Sequence, residues 1–257
     1  MSMLTDDDLQ RYSRQILMPE FDIAGQQALA DSRVLVVGAG GLGCPVVLYL
    51  AGAGIGSLHV IDDDDVEMAN LQRQIAFTMD DLDKPKATAL AERARALNPR
   101  ASVTSETGRA DAQWLGLNLG QYDLVLDATD NFDTRFAINQ ASVASGVPLV
   151  SGAAIRAEGQ IAVFDPRNEN SPCYQCLYAD VGEASLSCSE TGVLGPLVGM
   201  VGTTQAMEAL KLLAGIGETL TGRLLVLDAW RMHWREMRIP PDPQCAVCGN
   251  SQRGGNS

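Results

Sequence analysis

The feature that most constrains the fold of this chain is a glycine-rich segment that directly follows a run of β-branched residues. Arg33–Gly38 (RVLVVG) predicts a buried β-strand, and Gly38–Gly43 (GAGGLG) then matches the pattern G-x-G-x-x-G. A helix of small residues is predicted next, at Pro45–Gly52. A strand, a tight turn and a helix in this order begin a doubly wound unit, so the pattern predicts a parallel sheet with helices on both faces.

The glycines of this turn have separate expected roles. Gly38 allows the sharp turn, and Gly43 permits close packing of the helix on the strand. Gly40 and Gly41 let the backbone approach a phosphate, and the N-terminus of the following helix offers free N–H groups to an anion. We expect a bound nucleotide, although a glycine turn that serves only packing has the same pattern.

The second predicted strand, Ser57–Asp62, ends in a carboxylate that can accept hydrogen bonds from the hydroxyls of a ribose. The glycine turn and Asp62 together fit NAD and ATP equally well, so they leave the nucleotide open. The acidic run continues through Asp65. Because adjacent like charges repel one another unless they are solvated, we expect Asp63–Asp65 to form a solvated loop.

Further helices and strands continue the alternation as far as Ser151, where the rhythm changes. Helices are predicted at Asp6–Ile16, Lys84–Leu97, Phe132–Ser145 and Gly195–Leu213, and strands at Tyr122–Asp127, Val147–Ser151, Gln160–Phe164, Leu224–Asp228 and Trp234–Ile239. We expect a single domain over residues 1–250, with a nucleotide-binding part at about 30–150, a second part at about 151–250, and a flexible tail at 251–257.

Composition excludes several classes of protein. The formal net charge of −13 argues against a nucleic-acid-binding scaffold, which needs an excess of Lys and Arg. No apolar run reaches the roughly 20 residues that cross a bilayer, and the N-terminus is acidic, unlike a signal peptide. We therefore expect a cytoplasmic protein with no membrane or nucleic-acid partner.

Cationic residues after the second strand point away from a dehydrogenase. Asn70–Gln74 (NLQRQ) contains Arg73, and Lys86 lies in the segment KPK that opens the next helix. Nucleotidyl transfer builds negative charge on the α-phosphoryl group and on the leaving pyrophosphate, and Arg and Lys stabilise it. A dehydrogenase needs little beyond backbone amides at its pyrophosphate. Taken singly, however, Arg73 and Lys86 are more often surface residues.

A third group of polar residues, Asp127–Asn131 (DATDN), follows the strand Tyr122–Asp127. Ligands bind at the carboxyl edge of an open α/β sheet, so Asp130 is placed to hold Mg²⁺. Thr129, Asp130 and Asn131 are also good residues for capping the N-terminus of a helix. Spacing alone does not decide between the two interpretations.

Six cysteines include two C-x-x-C pairs, Cys173/Cys176 and Cys245/Cys248. Four thiolates can bind one tetrahedral Zn²⁺, but the 68 residues between the pairs exceed the spacing of a compact zinc finger. A redox role is the weaker alternative, because there are two pairs and neither clearly opens a helix. Cys44, in the small-residue helix, is expected to be core packing.

Together these segments resemble the MoeB/ThiF/HesA family of ubiquitin-like-protein activators. The resemblance extends over nearly the whole chain. The matching segments are RYSRQI (Arg11–Ile16), GAGGLG, DDDDV (Asp62–Val66), ANLQRQ (Ala69–Gln74), KPK, LDATDN (Leu126–Asn131) and the two C-x-x-C pairs.

The resemblance implies a role for each matching residue. Gly41 would contact the phosphates and Asp62 the ribose, while Asp130 would carry Mg²⁺ and Asn131 would lie beside the nucleotide. The segment around the triphosphate would be formed by Ala69, Asn70, Leu71, Gln72, Arg73 and Lys86. The four paired cysteines would hold a structural Zn²⁺. Arg14 would reach the active site of the opposite subunit, which implies a homodimer, although Arg14 is otherwise an ordinary surface residue.

The implied reaction is the ATP-dependent adenylation of the C-terminal Gly-Gly carboxylate of a ubiquitin-like sulfur carrier. Val150–Phe164 (VSGAAIRAEGQIAVF) and Cys173–Leu177 (CYQCL) look most like the branch that activates the MoaD-like carrier of molybdopterin synthesis. A ThiS-like carrier of thiamine thiazole synthesis is the alternative, and an NAD-dependent oxidoreductase is the alternative of another class. Sulfur would come from a separate donor protein. Cys188 matches the position of a possible acyl or sulfur acceptor, and an unreactive loop thiol is equally compatible.

Overall fold

A computed structural model describes residues 4–178 and 192–249 of the chain. Its strands are β1 Arg33–Val37, β2 Ser57–Asp62, β3 Ser102–Thr107, β4 Leu124–Asp127, β5 Leu149–Ile155, β6 Glu158–Phe164, β7 Arg223–Asp228 and β8 His233–Arg238. Its α-helices are α1 Asp6–Arg11, α2 Ser13–Ile16, α3 Asp22–Asp31, α4 Gly43–Ala53, α5 Lys86–Leu97, α6 Ala112–Asn118, α7 Phe132–Ser145, α8 Tyr174–Leu177 and α9 Gly195–Ala214. Short 3-10 helices lie at Met68–Asn70, Met79–Asp81 and Leu119–Gln121.

The eight strands form one mixed sheet in the order β3-β2-β1-β4-β5-β6-β7-β8. The strands from β3 to β5 in this order are parallel to one another, and β6, β7 and β8 are added by antiparallel pairing. The chain order of the parallel strands reverses between β1 and β4, which is where open α/β sheets bind ligands. The predicted parallel sheet with appended C-terminal strands is confirmed.

Burial of β1 shows why the sheet has helices on both faces. Val34 and Val36 belong to one hydrophobic cluster, which includes α4, α5 and α9, whereas Leu35 and Val37 belong to a second cluster, which includes α6 and α7. Successive side chains of a strand point to opposite faces, so an apolar residue at every position must be covered on both sides.

Several elements of the fold, among them β3, α3, α6 and the short α8, were not predicted from the sequence. The strand β3 (SVTSET) lies at the edge of the sheet and has a single buried residue, Val103. The predicted helix Asp6–Ile16 is divided into α1 and α2 at Tyr12, whose buried hydroxyl accepts a hydrogen bond from Asn98 Nδ2 at 2.8 Å.

The strand β5 is longer than predicted. It continues from Ser151 to Ile155, because these residues pair with β6 in a hairpin in which Gly152 lies opposite Ile161. The small residues Ala153 and Ala154 therefore extend along one wall of the candidate site. In the described part of the chain, no helix is long and apolar enough to span a membrane.

Candidate nucleotide site and cysteine cluster

A cavity of about 600 Å³ lies at the carboxyl ends of β1, β2 and β4. The predicted site residues that line it are Gly38, Gly40, Gly41, Asp62, Asn70, Arg73, Lys86, Asp130 and Asn131. Five predicted residues, all described, do not line it: Arg14, Gly43, Ala69, Leu71 and Gln72. Cys188 lies outside the described residues. The cavity is therefore formed by the ends of strands that are neighbours in the sheet.

The glycine-rich turn leaves no space for side chains at two of its positions. Gly38 has a φ of 101°, and a Cβ there would lie 2.7 Å from the carbonyl oxygen of Ala128. A Cβ at Gly43 would overlap the carbonyl oxygen of Gly38. Gly41 packs under Val198 of α9, whereas Gly40 has only the amide of Gln74 near it. The turn is held rigidly while Gly40 stays open to the cavity.

Asp62 is bound to the same turn. Its Oδ2 accepts a hydrogen bond from Ala39 N at 2.6 Å, and its Oδ1 accepts one from Asp64 N at 2.9 Å. Burial raises the pKa of this carboxyl, and the two backbone donors oppose that shift. A carboxylate has about four acceptor positions, so Asp62 can hold the turn and still accept from a ligand.

The predicted cations of the site already have protein partners. Lys86 is buried, and its Nζ donates to Asp64 Oδ2 at 2.7 Å. Arg73 is more exposed, and its Nη1 donates to the carbonyl of Ala69 at 3.0 Å. Asp63, Asp64 and Asp65 are exposed, as expected for a solvated loop, but Asp64 also makes the ion pair with Lys86. The loop folds back on the start of α5, where Lys86 N also donates to Asp64 O at 2.9 Å.

In the loop after β4, one residue caps the next helix and another faces the cavity. Asn131 caps α7, because its Oδ1 accepts from Thr134 N at 2.9 Å. Asp130 is exposed at the cavity and has no hydrogen bond or ion pair with another described residue. Its carboxylate is thus open to a ligand from the cavity.

Sequence reasoning missed a buried ion pair next to the cavity. Asp127, at the end of β4, and Arg135, which lies in the first turn of α7 and lines the cavity, have Oδ2 and Nε 3.7 Å apart. Burial lowers the pKa of the Arg135 guanidinium, but the nearby Asp127 carboxylate raises it. The pKa is raised overall, so the guanidinium stays charged. An Arg within a helix carries no pattern that distinguishes it from a surface residue, so only packing identifies this one.

The four paired cysteines form a separate cluster. Their Sγ atoms all lie within 4.8 Å of one another, with Cys173 and Cys245 3.6 Å apart and Cys176 and Cys248 3.4 Å apart. Three of these cysteines accept hydrogen bonds from N–H groups, which come from Asn139, Asp242 and Val247. Such donors stabilise thiolates, and the cluster fits a metal ion.

One step of the sequence argument about these cysteines is wrong. Cys173 is the N-cap of α8, so the first pair does open a short helix. The redox interpretation is nevertheless weakened, because the second pair lies directly against the first. The remaining described cysteine, Cys44, is fully buried, and burial raises the pKa of its thiol to about 12, as expected for core packing.

The signature of the ThiF family matches residues 12–247 of the chain. The chain belongs to the ThiF family. Over 249 residues this ThiF-family protein is 45% identical to the molybdopterin-synthase adenylyltransferase of Escherichia coli (strain K12), which covers 97% of the chain and all of the relative. It is 46% identical over 248 residues to the sulfur carrier protein ThiS adenylyltransferase of the same organism, covering 96% of the chain and 98% of the relative.

A solved structure has the same fold. The crystal structure of E. coli MccB with MccA-N7isoASN superposes with a TM-score of 0.82, covering 93% of this chain and 75% of that one. The two sequences are 22% identical, so this likeness concerns the fold alone. The described sheet and helices of the ThiF-family protein therefore match those of a protein with a distant sequence.

Proposed function

We propose that this ThiF-family protein is an adenylyltransferase that uses ATP to activate the C-terminal Gly-Gly carboxylate of a ubiquitin-like sulfur-carrier protein. The observation that carries the proposal is near-full-length identity of 45% and 46% to two proteins named as adenylyltransferases. The cavity agrees, since it places Asp62, Lys86 and Asp130 around one space. An NAD-dependent oxidoreductase would leave Lys86 and Asp130 without a role.

The chemistry needs no general base. The carrier's terminal carboxylate is ionised near neutral pH and attacks the α-phosphorus of ATP in line. An acyl–adenylate anhydride forms, and the bond to pyrophosphate breaks. The protein contributes positioning and charge stabilisation, with Arg73, Lys86 and a Mg²⁺ ion held by Asp130 near the developing charge. Asp64 holds Lys86 at the cavity wall before ATP arrives.

The nucleotide would lie along the glycine-rich turn. The open backbone at Gly40 and the N-terminus of α4 suit phosphate oxygens, Gly41 lines the same cavity beneath Val198, and Asp62 suits the ribose. Asn70 and Arg73 line the opposite wall, while Ala69, Leu71 and Gln72 support them as parts of the same segment. In this arrangement Asn131 serves the site mainly as the cap of α7.

We further propose a homodimer in which Arg14 acts in the partner's cavity. Arg14 is exposed on α2 and does not line the described cavity of its own chain. The helix α2, which carries Arg14, is held against α3 and α4, because Gln15 Nε2 donates to Gln26 Oε1 at 2.7 Å and to Ala53 O at 3.0 Å. Leu17 and Met18, directly after α2, are 72% and 50% exposed, which favours coverage by a second copy.

The cysteine cluster fits Zn²⁺. Tetrahedral Zn–S bonds of about 2.3 Å imply about 3.8 Å between sulfurs, and the observed separations of 3.4, 3.6 and 3.9 Å are close to that. Four protein ligands leave no open position, so the ion would serve structure. It would join the C-terminal segment that contains Cys245 and Cys248 to α8.

We propose the molybdopterin branch on the segments Val150–Phe164 and Cys173–Leu177. A ThiS-like carrier stays the alternative, since identities of 45% and 46% do not separate the two relatives. The nucleotide would occupy the part at about residues 30–150 and the carrier the part at about 151–250. We also propose that Cys188 accepts the acyl group or the sulfur, and that a separate protein donates the sulfur. We propose a cytoplasmic location for the protein.

Carrier-dependent exchange of pyrophosphate into ATP tests the function. Purified MoaD-like and ThiS-like carriers are added separately to the zinc-loaded protein with Mg²⁺·ATP, and each carrier lacking its final glycine is the control. We expect exchange with the MoaD-like carrier and none with the truncated one. Exchange with the ThiS-like carrier alone would assign the other branch, and no exchange with either would contradict the function.

A further inference from the structure

The buried ion pair of Asp127 and Arg135 lies directly beneath the loop that carries Asp130. Asp127 is 1% exposed and Arg135 is 8% exposed. Removing two charges from water is expensive, so a buried pair generally needs further hydrogen bonds to be tolerated. Here those further bonds go to Thr129, which lines the cavity, and to the strand β5, whose residues Ala153 and Ala154 also line it.

Asp127 binds the loop from below. Its Oδ1 accepts hydrogen bonds from Thr129 N at 3.0 Å and from Thr129 Oγ1 at 2.7 Å. Its Oδ2 accepts from Ser151 Oγ of β5 at 2.8 Å. One carboxylate therefore sets the backbone at Thr129 relative to the adjacent strand. The carbonyl of Asp127 is fixed in turn by Gln205 Nε2 of α9 at 2.7 Å.

Arg135 binds the same loop from the helix that follows it. Its Nη2 donates to Thr129 O at 2.6 Å and to Gly152 O at 3.3 Å. These two carbonyls belong to the loop after β4 and to β5, so the guanidinium bridges two walls of the cavity. A planar fork with several N–H groups can make such contacts simultaneously, which the single ammonium of a Lys cannot reproduce.

The residue between these fixed points is Asp130. Thr129 is held through its N–H, its hydroxyl and its carbonyl, and Asn131 is held by its cap on α7. Asp130 itself makes no hydrogen bond to another described residue, so its neighbours determine where its carboxylate lies. We propose that Asp127 and Arg135 are positioning residues that hold Asp130 in place for the Mg²⁺·ATP complex. This inference rests on the proposed function.

Two conservative variants test the proposal while keeping the charges of the buried pair. Arg135→Lys keeps the positive charge and removes the bridge, and Thr129→Val removes one hydroxyl from a side chain of similar shape. Calorimetry would measure the Kd of a non-hydrolysable ATP analogue with and without Mg²⁺. We expect the Mg²⁺-dependent affinity to fall about tenfold in Arg135→Lys and about threefold in Thr129→Val, the range of one hydrogen bond.

A double-mutant cycle separates positioning from a merely structural effect. If Arg135 acts through Asp130, then Arg135→Lys changes the Mg²⁺-dependent affinity very little once Asp130→Ala is present. The matched control is Arg100→Lys, which alters a pair with Asp8 far along the chain from the cavity, where Arg100 Nη2 donates to Asp8 Oδ2 at 2.9 Å. We expect this control to keep the wild-type Kd.

Melting curves of every variant show first that it is folded. A folded Arg135→Lys with wild-type Mg²⁺ dependence would overturn the proposal. So would an equal loss of affinity with and without Mg²⁺, or an undiminished effect in the Asp130→Ala background. Should Arg135→Lys fail to fold, Thr129→Val decides by the same criteria. Because binding is measured without carrier, absence of pyrophosphate exchange in the wild type would contradict the proposed function without affecting this test.

Discussion

The nucleotide cavity and the cysteine cluster are built in opposite ways. The cavity collects residues that follow successive strands, and among its key groups Asp130 is exposed and Arg73 is half-buried. The cluster joins two segments separated by 68 residues, and Cys173, Cys245 and Cys248 are buried. The cavity is open to a substrate, whereas the sulfur atoms of the cluster lie within 4.8 Å of one another.

This difference predicts whether a substitution changes ligand binding or folding. Exposed residues at strand ends make few contacts with the core, so removing them affects ligand binding more than folding. Buried ligands of one metal join distant parts of the chain, so removing one affects folding first. We therefore expect substitutions in the cysteine cluster to lower stability and substitutions at the cavity to lower activity.

The largest effect is expected at the cysteine cluster. Cys245→Ser, or removal of metal by a chelator, should lower the melting temperature by about 10 °C or more, because the proposed Zn²⁺ would link α8 to the C-terminal segment. Differential scanning calorimetry with metal analysis measures both quantities. Cys44→Ala is the control, since it removes a buried thiol outside the cluster and should keep one zinc per chain. An unchanged melting curve in a protein without zinc would contradict the structural role.

Asp130→Ala should show the converse behaviour. We expect the rate of adenylation, measured by pyrophosphate exchange, to fall by about 10²-fold or more, because charge stabilisation at the phosphates is lost. The melting temperature should stay within about 2 °C of the wild type, since Asp130 is exposed. If the variant retained normal exchange, Asp130 would be no ligand of Mg²⁺.

The pair of Lys86 and Asp64 should give an intermediate result. Lys86→Met should lower kcat/KM for ATP by about 100-fold, and Asp64→Asn by about tenfold, because Asp64 positions the ammonium group. Lys84→Met is the matched control. Lys84 lies two residues away, is bound to Asp81 at 3.1 Å, and does not line the described cavity. Equal effects of Lys84→Met and Lys86→Met on steady-state kinetics would show that general charge, rather than position, matters.

The smallest effect concerns Asp81, which fixes the loop before α5. Hydrogen bonding from Thr78 N, with the neighbouring Lys84, lowers the pKa of this carboxyl to about 2. A lowered pKa in the folded state stabilises the protein above about pH 4, and this stability is lost as the pH falls toward 2. Lys84 and Arg93 are nearly half exposed, so the contribution is about 1 to 2 kcal/mol.

Urea unfolding at pH 6 and at pH 3 measures this dependence on Asp81. Asp81→Asn should lose about 1 to 2 kcal/mol at the higher pH and less at the lower, because at pH 3 the carboxyl is largely protonated in the unfolded chain but still mostly ionised in the folded protein. Asp80→Asn, which changes the neighbouring exposed carboxylate, is the control. An equal loss at both pH values would assign the effect to hydrogen bonding that does not depend on charge.

Much of the fold was predictable because its patterns are local. The strand Ser57–Asp62 and the helix Phe132–Ser145 have the predicted bounds, since buried apolar residues mark the strand and the capping residues Asn131 and Gly146 mark the ends of the helix. The strand β3 was missed, because an edge strand with one buried residue has no such periodicity. The helix Asp6–Ile16 was predicted without its break, because the contact of Tyr12 with Asn98 joins residues 86 positions apart.

The sequence by itself determined the glycine turn, the carboxylate of Asp62 and the placement of Asp130 at the site. The carboxyl ends of neighbouring parallel strands meet at one edge, so a pattern read strand by strand brings these groups together. Only the tertiary structure decided that Asp64 pairs with Lys86, that Arg135 is buried against Asp127, and that the cysteine pairs meet. Those contacts depend on how segments distant in the chain pack, and no local spacing encodes that packing.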